Sequence, residues 1–357
     1  MDTIIENRTI DTGIAISDCD GLTIRNCVIS NRGGLDGIAL RNCSRVRIEH
    51  CRISRIGNET MQETGVRTIH GYDFVPAALD RIHGIHLHDC SDAVIAGNEI
   101  TDSCSKGISI TASDAEKSKR IVIENNRIAY IYDDGIDFGI TGADRDVYLP
   151  IAGVIIRGNI IHDIGLGLTR LGFARHGIYL TVRDALVENN TIYNCFYGEG
   201  VSIRNAAVVR GNDIRNCARA CIGFWRQTNT EESSRAVRIE GNRCRQDFAL
   251  PIPMRHIANP HEKLHHLPLG VIVIQHWSNP RAVIDRIELR RNALFVGPDY
   301  HDDIPMIAGN DDASKNASAL CIEDNSLIDM RTQPRWIENM PDGIDTGTNT
   351  MKPDKER

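Results

Sequence analysis

The sequence has no long apolar run and no strong excess of charge. It opens MDTIIENRTIDTG, with acidic residues and neither a signal peptide nor a membrane span, so we expect a cytoplasmic protein, or a secreted one if a leader has been removed. Its 41 Lys+Arg against 48 Asp+Glu give a formal net charge of −7 over 357 residues. This mild balance argues against a dedicated nucleic-acid binder, and we expect neither a nucleic-acid nor a membrane partner.

The sequence also lacks the paired CxxC spacing of zinc and redox sites, although it contains 11 Cys. Cys19, Cys43 and Cys90 each precede a short β-like segment, in DCDGLTI, NCSRVRI and DCSDAVI. Free Cys behaves as a small hydrophobic residue when buried. We therefore expect reduced, structural thiols that stack at equivalent positions of a repeat.

No amphipathic helical pattern is present between Ile14 and Ile328, and short segments with period-2 alternation recur instead. Their alignment puts the following residues in one column: Cys27, Cys51, Asn98, Asn126, Asn159, Asn190, Asn212, Asn242, Asn292 and Asn325. Parallel strands without crossover helices can stack only by coiling. We expect each Asn to adopt left-handed dihedrals at a bend and to hydrogen-bond the equivalent Asn one coil away.

This repeat resembles the parallel β-helix repeat of pectate-lyase-like proteins over residues 14–330. The resemblance implies an all-β fold, a single-stranded right-handed parallel β-helix of about ten or more coils. We assign residues 1–330 to this solenoid and 331–357 to a C-terminal cap or tail. Insertions that would wall one face fall at about 57–81, 139–152, 165–174, 226–235, 247–268 and 297–318. The resembled superfamily includes polysaccharide lyases, glycoside hydrolases, fructan transferases, uronate epimerases and phage tailspikes, so it leaves the reaction open.

Two outward columns are predicted beside a repeated Gly, in DGIAL, HGIHL, KGISI, DGIDF, HGIYL and EGVSI, with RACIGF as a degenerate member. The residue before each Gly is ionisable: Asp36, His83, Lys106, Asp134, His176 and Glu199. The outward residue two positions after it is mostly polar: Ala39, His86, Ser109, Asp137, Tyr179 and Ser202. Solvated strand faces are also polar, but they usually favour Lys, Glu, Arg and Thr over His, Asp and Tyr.

The segment IYDDGIDFGI predicts a catalytic centre, because Asp133, Asp134 and Asp137 crowd there and repulsion between carboxylates raises at least one pKa. Glycoside hydrolysis needs one protonated carboxyl and one carboxylate, about 5 Å apart for retention or about 6.5 to 9.5 Å for inversion. Asp134 with Asp137, or Asp137 with Glu199, would suit the wider range. We predict that Asp133, Asp134, Asp137, Glu199 and His176 are catalytic in a glycoside hydrolase or transferase, without a metal or other cofactor.

Elimination or epimerisation at a uronate is the alternative, since it needs a Lys, His or Tyr base and a cation or Ca²⁺ beside the carboxylate. The residues predicted to bind an oligosaccharide or polysaccharide substrate are Lys106, Tyr179, Arg175, His86, His83, Arg204 and Trp225. A non-catalytic glycan-binding β-helix, as in a tailspike, is a third hypothesis, and a homo-oligomer stays open. The HEKLHH segment has the H-E-x-x-H spacing of zinc proteases, but Pro260 and Pro268 bracket it, which favours a His-rich loop.

Overall fold

Three long sheets of parallel strands form the part of the chain that the computed structural model describes. That part comprises residues 2–57, 67–69, 72–74, 82–113, 117–140, 151–167, 175–225, 236–248, 269–275, 284–301, 304–309, 317–338 and 348–353. Its regular structure is entirely β, and the sheets contain 11, 12 and 11 strands. The prediction of an all-β parallel β-helix is confirmed. Within these residues no helix is long and apolar enough to cross a membrane.

Sheet 1 contains one strand from each coil, and its strands pair only with the equivalent strands of neighbouring coils. In order they are β1 (Thr3–Glu6), β4 (Asp20–Arg25), β7 (Ser44–Glu49), β12 (Ser91–Ala96), β15 (Lys119–Glu124), β18 (Ala152–Arg157), β21 (Ala185–Glu188), β24 (Ala207–Arg210), β27 (Ala236–Glu240), β30 (Ile284–Arg290) and β33 (Ala317–Glu323). Apolar residues alternate with charged ones along them, which is the pattern of a sheet with one buried face.

Sheet 2 follows sheet 1 in every coil. Its strands are β2 (Thr9–Ile10), β5 (Val28–Asn31), β8 (Arg52–Ile56), β13 (Glu99–Ser103), β16 (Arg127–Ile131), β19 (Ile160–Ile164), β22 (Thr191–Cys195), β25 (Asp213–Cys217), β28 (Arg243–Phe248), β31 (Ala293–Asp299), β34 (Ser326–Asp329) and β36 (Thr350–Pro353). The last of them pairs with Ser326–Asp329, so the described end of the chain adds a strand to this sheet.

Sheet 3 closes each coil and carries the columns singled out in the sequence. Its strands are β3 (Ile14–Ser17), β6 (Ile38–Arg41), β11 (Ile85–His88), β14 (Ile108–Ala112), β17 (Ile136–Ile140), β20 (Ile178–Leu180), β23 (Glu199–Ile203), β26 (Ala220–Trp225), β29 (Ile272–Gln275), β32 (Ile307–Gly309) and β35 (Ile337–Glu338). A separate antiparallel pair, β9 (Arg67–Ile69) and β10 (Tyr72–Phe74), lies outside the three sheets.

Stacks of aliphatic side chains along the axis form the core. Ile85, Ile108, Ile136 and Ile178 pair in register on successive strands of sheet 3, and none of them is exposed. Burial of such a side chain contributes about 1.5–3 kcal/mol relative to an exposed one. The solenoid therefore needs no second core as it lengthens.

The Gly of the repeated segments of sheet 3, from Gly37 to Gly200, is required by the closeness of neighbouring coils. A Cβ atom on Gly107 would lie 2.6 Å from the carbonyl oxygen of Gly135, and one on Gly135 would lie 2.5 Å from that of Gly177. Neither gap admits a methyl group, because backbone atoms cannot give way as a flexible side chain can. The residue before each Gly is thereby fixed at the same corner of every coil.

The Asn column forms a continuous hydrogen-bonded ladder at the corner between sheets 1 and 2. Asn126 donates from both N and Nδ2 to Oδ1 of Asn159, at 2.9 and 3.0 Å, and Asn159 donates in the same way to Asn190. The ladder starts at the backbone N–H of Cys51 and runs past Asn325 to Asn349. The predicted stacking of Asn on successive coils is confirmed.

The prediction that each ladder Asn itself has left-handed dihedral angles is wrong. The left-handed residue is the one that precedes each ladder Asn, with φ of 56° at both Asn125 and Asn189 and 65° at Gly158. This arrangement turns the chain one residue early and points the ladder side chain inward, where it is buried.

The 11 Cys side chains are all thiols, and ten of them are buried. Cys43 and Cys90 donate to the backbone carbonyls of Ile16 and Leu40 on the preceding coil, as residues in one column would. Burial raises the pKa of Cys90 to about 12, so it stays protonated near neutral pH. The prediction of structural thiols is confirmed.

Candidate active site on sheet 3

The two columns have the register that the sequence predicted, but most of their side chains are buried rather than solvated. The backbone N–H of Gly107 donates to the carbonyl of Asp134 at 3.0 Å, and that of Gly135 donates to His176 at 3.0 Å, which places the residues before Gly on successive coils. In the second column His86 pairs with Ser109, Ser109 with Asp137, and Asp137 with Tyr179. All the residues predicted to be catalytic therefore lie on adjacent coils of one sheet.

Lys106 and three carboxylates form the first group, which we call the Lys106 centre: Lys106, Asp133, Asp134 and Asp137. The ammonium of Lys106 lies 2.6 Å from Oδ2 of Asp137. Burial acts to lower the pKa of Lys106, but Asp137, Asp134 and Asp133 outweigh it and raise the pKa above its ordinary value. Lys106 is thus a firmly held cation, which makes it a poor base.

The pKa of Asp134, in the Lys106 centre, is raised by its surroundings. Burial raises its pKa well above the ordinary value, and the charges of Asp133 and Asp137 raise it further, against the opposing effects of Lys106 and of a backbone hydrogen bond. The predicted rise of one pKa in this segment is confirmed in direction. Its principal cause is burial, with carboxylate repulsion second.

The side chain of Asp134 also supports the fold. Its Oδ1 accepts a hydrogen bond from the backbone N–H of His176, at 2.6 Å. Asp36 accepts from the N–H of His83 in the same way, at 2.7 Å. Part of the ionisable character of this column is therefore structural, because the corner needs an acceptor for the next coil.

Arg175 anchors the remaining carboxylate of the Lys106 centre. Its Nη1 lies 3.2 Å from Oδ1 of Asp133 and also donates to the backbone carbonyl of Tyr132. The guanidinium lies over the ring of Tyr197, 5.8 Å from its centroid, and the whole side chain is buried. Arg175 therefore lies where it holds Asp133 in place. The sequence had predicted it to contact the substrate.

A second group, which we call the Glu199 centre, contains His176, Glu199, Arg204, Arg219 and Trp225. Glu199 is completely buried. Burial pushes its pKa upward, but Arg219, His176 and Arg204 outweigh that effect and hold the pKa below its ordinary range. Burial lowers the pKa of His176, and Glu199 offsets this only in part. The pair is therefore a carboxylate and a neutral imidazole.

Both the backbone N–H and the carboxylate of Glu199 approach Nδ1 of His176, the N–H at 3.1 Å. One ring nitrogen cannot accept from the first and donate to the second. We assign the proton to Nδ1, because the carboxylate lies closer to this atom than the N–H does and would be repelled by a lone pair there. Nε2 then carries the lone pair.

The arginines of the Glu199 centre are held by stacking as much as by charge. Arg219 lies 3.4 Å from Oε1 of Glu199 and 4.1 Å from the centroid of the Trp225 ring. Arg204 lies between two aromatic rings, 5.0 Å from the centroid of Tyr179 and 5.5 Å from that of Trp225. The ring of Tyr179 in turn stacks on His176.

Several buried polar atoms of this region have no hydrogen-bond partner in the described part of the chain. They are Ser202 Oγ, Arg204 Nη1, Arg219 Nη2, Trp225 Nε1 and Glu199 Oε1. A buried polar group without a partner costs about 1–3 kcal/mol. Ser202 and Arg204 lie on one coil, and Arg219 and Trp225 lie on the next, so a polar ligand such as a sugar hydroxyl or a carboxylate could satisfy donors from both coils.

His83 and His86 lie one coil before the Lys106 centre, beside Asp36. The Nδ1 atom of His86 is 3.3 Å from Oδ2 of Asp36, and the rings of the two His meet edge to face with centroids 5.0 Å apart. His83 is buried, whereas His86 is half-buried. The structure thus places His83 and His86 in the same two columns as the predicted catalytic residues, but in a different set of contacts.

Sequence reasoning missed Arg219, which contacts the predicted catalytic residue Glu199 more closely than any other Arg does. Its signal was the degenerate segment RACIGF, where Arg219 takes the place that precedes the aligned position. The HEKLHH segment, at 261–266, and most of the predicted insertions lie outside the described residues.

A calcium ion fits poorly at the Lys106 centre. Ca²⁺ takes six to eight oxygen ligands. Asp137 is already paired with the Lys106 ammonium, Asp134 accepts a backbone N–H, and Asp133 is paired with Arg175. Few oxygen lone pairs there remain for a cation.

Comparison with known proteins agrees with the fold. Residues 2–169 match the family model described as the right-handed beta helix region. A GH136 lacto-N-biosidase from Eubacterium ramulus superposes with a TM-score of 0.61 and 11% identity, over 98% of this chain and 62% of that one. A DFA-IIIase from Arthrobacter chlorophenolicus A6, crystallised as a mutant with DFA-III, gives 0.56 and 12% over 98% and 84%. The A-module of a mannuronan C-5 epimerase from Azotobacter vinelandii gives 0.53 and 12% over 98% and 89%.

A search of curated protein sequences finds no match to this chain. The sheet topology, together with the match over residues 2–169, gives the described part of the chain the fold of a right-handed parallel β-helix. The structures it resembles include a lacto-N-biosidase, an epimerase and a DFA-IIIase, and at such identities the likeness establishes the fold alone.

Proposed function

We propose that this protein is a carbohydrate-active enzyme that cleaves glycosidic linkages by carboxylate acid/base catalysis on sheet 3. The observation that carries the proposal is the contrast within the Lys106 centre. Asp134 has a raised pKa, whereas Asp137 forms an ion pair with Lys106. Glycoside hydrolysis requires one carboxyl in each of these two states, one to protonate the leaving oxygen and one to activate water or attack the sugar.

Asp134 is the proposed acid, and Asp137 the proposed base or nucleophile. Lys106 forms an ion pair with Asp137, and Arg175 holds Asp133, whose charge helps to raise the pKa of Asp134. Arg204 and Ser202 supply donors for hydroxyl groups.

Elimination or epimerisation at a uronate is the second candidate, and the Glu199 centre favours it. Neutral His176, oriented by Glu199, has the character of a general base. Arg204 and Arg219 each have a buried nitrogen without a hydrogen-bond partner among the described residues, and a uronate carboxylate would satisfy both. Elimination or epimerisation would therefore use the Glu199 centre, whereas hydrolysis would use the Lys106 centre.

A panel of neutral and uronate-containing glycans tests the two candidates in one experiment. Reducing ends, the absorbance of unsaturated uronate and the proton NMR spectrum of the sugars are followed together. New reducing ends without absorbance support hydrolysis, absorbance supports elimination, and a changed NMR spectrum without cleavage supports epimerisation. Binding of a glycan without any product would overturn the proposal of an enzyme. The Asp134→Asn/Asp137→Asn double variant is the negative control.

A further inference from the structure

Asp36, His83 and His86 bring three potential metal ligands together on two adjacent coils. One ligand atom from each lies within 4.8 Å of the other two. Asp36 comes just before β6, His83 lies two residues before β11, and His86 is on β11. Strand pairing therefore fixes the relative positions of the three side chains.

The distances suit a small tetrahedral ion. Zinc binds His nitrogen and carboxylate oxygen at about 2.0–2.2 Å, so two ligands of one tetrahedral zinc ion are about 3.3–3.5 Å apart. His86 Nδ1 and Asp36 Oδ2 are already 3.3 Å apart. Small rotations of the His83 ring would bring its nitrogen to a similar separation from both.

His83 has an unused nitrogen in this group. Its Nδ1 is buried and has no hydrogen-bond partner among the described residues, and only 6% of the residue is exposed. An imidazole nitrogen with a free lone pair is the group that binds a metal.

Hydrogen bonds from neighbouring groups orient these three side chains, as hydrogen bonds to the ligands do in known metal sites. The backbone N–H of His83 donates to Oδ1 of Asp36, at 2.7 Å, which leaves Oδ2 toward His86. His86 Nε2 lies 2.9 Å from the hydroxyl of Thr111, and that hydroxyl lies 2.9 Å from His88 Nδ1. With a metal on His86 Nδ1, its Nε2–H donates to Thr111 and Thr111 donates to His88.

We propose that Asp36, His83 and His86 bind one divalent transition-metal ion of the zinc type. Two nitrogens and one oxygen leave a fourth position open to water, as in zinc sites with three protein ligands. A groove with a volume of 360 Å³, lined in part by Ala39, Arg41, His86 and His88, adjoins His86 and gives that position access to solvent. The site is independent of the proposed glycan chemistry.

Calorimetric titration of the chelator-treated full chain with ZnCl₂ tests this site. We expect one zinc per chain from these residues, and at least about a 100-fold weaker affinity in His83→Ala and in Asp36→Asn. Asp36→Asn keeps the acceptor for the His83 N–H, so it separates loss of metal binding from loss of folding. Cobalt(II) should give the intense visible absorption of tetrahedral coordination in the wild type but not in either variant.

The His-rich segment HEKLHH is the competing zinc ligand in this chain, and it provides the matched control. The His261→Ala/His265→Ala variant should keep the tight site and its cobalt spectrum. Tight binding that survives in His83→Ala and in Asp36→Asn but disappears in the His261→Ala/His265→Ala variant would overturn the proposal, as would an absence of tight binding in the wild type.

Discussion

Asp134 and Asp137 show how two like side chains on one strand segment can acquire different chemistry. Both are almost fully buried, with 6% and 3% exposed. Asp137 faces a cation at 2.6 Å, whereas Asp134 faces a single backbone N–H and two other carboxylates. The environment rather than the residue type therefore assigns the acid and the ionised partner.

Replacement of Asp137 by Asn should lower turnover about 10²- to 10⁴-fold on a glycan that the wild type cleaves, because the amide cannot exchange a proton or attack the sugar. Asp134→Asn should cause a similar loss and keep the acceptor for the His176 N–H. Initial rates at saturating substrate measure both effects.

Asp184→Asn is the matched control for these two variants. Asp184 is exposed and immediately precedes β21 of sheet 1. Its φ of 56° is a value that Asn tolerates well. Its turnover should equal that of the wild type. Near-normal turnover of both Asp137→Asn and Asp134→Asn would remove the Lys106 centre from the mechanism.

The limits of sequence reasoning at this scale are set by contacts between residues that are distant in the chain but lie on adjacent coils. The acidic segment at 133–137 was recognisable because its residues are neighbours in the chain. Arg219, by contrast, reaches Glu199 from the next coil and its segment lacks the xG pattern. The sequence likewise showed no sign that Asp134 accepts a backbone hydrogen bond from another coil, because that contact depends on three-dimensional register.

At the scale of the element, the Asn ladder fixes the register of neighbouring coils. Asn190 accepts from N and Nδ2 of Asn159 and donates to Asn212 Oδ1 and to the carbonyls of Ile156 and Glu188. Because only 1% of Asn190 is exposed, no water replaces these partners if the amide is removed. The column was predictable from the sequence because each coil repeats the same requirement.

Asn190→Ala should lower the free energy of unfolding by about 2–5 kcal/mol, since it leaves more than one buried donor or acceptor without a partner at about 1–3 kcal/mol each. Urea denaturation followed by circular dichroism measures the change. Asn189→Gly is the control, because Asn189 is exposed and its φ of 56° suits Gly. Equal destabilisation by the two variants would contradict a special role for the ladder.

At the scale of the whole molecule, the repetition of equivalent positions from coil to coil explains why the fold was predictable and the function was not. The Asn ladder and the Gly and Ile columns recur in most coils, so each coil gives independent information on the architecture. The Lys106 and Glu199 centres occur once each, and no repetition supports an assignment there. The substrate depends further on the insertions, which lie largely outside the described residues.

The stability of the whole molecule should depend on pH through His83. Its pKa is about 3 in the folded chain against 6.5 for an ordinary His, because burial disfavours the charged ring. Below pH 6.5 the unfolded chain binds a proton at His83 that the folded chain does not bind, so the free energy of unfolding falls as the pH decreases. Asp134 acts in the opposite sense, since its folded pKa is raised and ionisation above pH 3.8 destabilises the fold.

Comparison of His83→Asn with the wild type separates the effect of His83 on stability from that of Asp134. The variant lacks the titrating ring, so the difference in unfolding free energy between the two proteins should change by up to about 1.36 kcal/mol per pH unit as the pH falls from about 6.5 toward 4. Between about pH 7 and 8 the difference should be constant, because His83 is then neutral in both states. Urea denaturation in the presence of a chelator, which removes any zinc, measures both proteins. A constant difference over the whole range would contradict a buried, neutral His83.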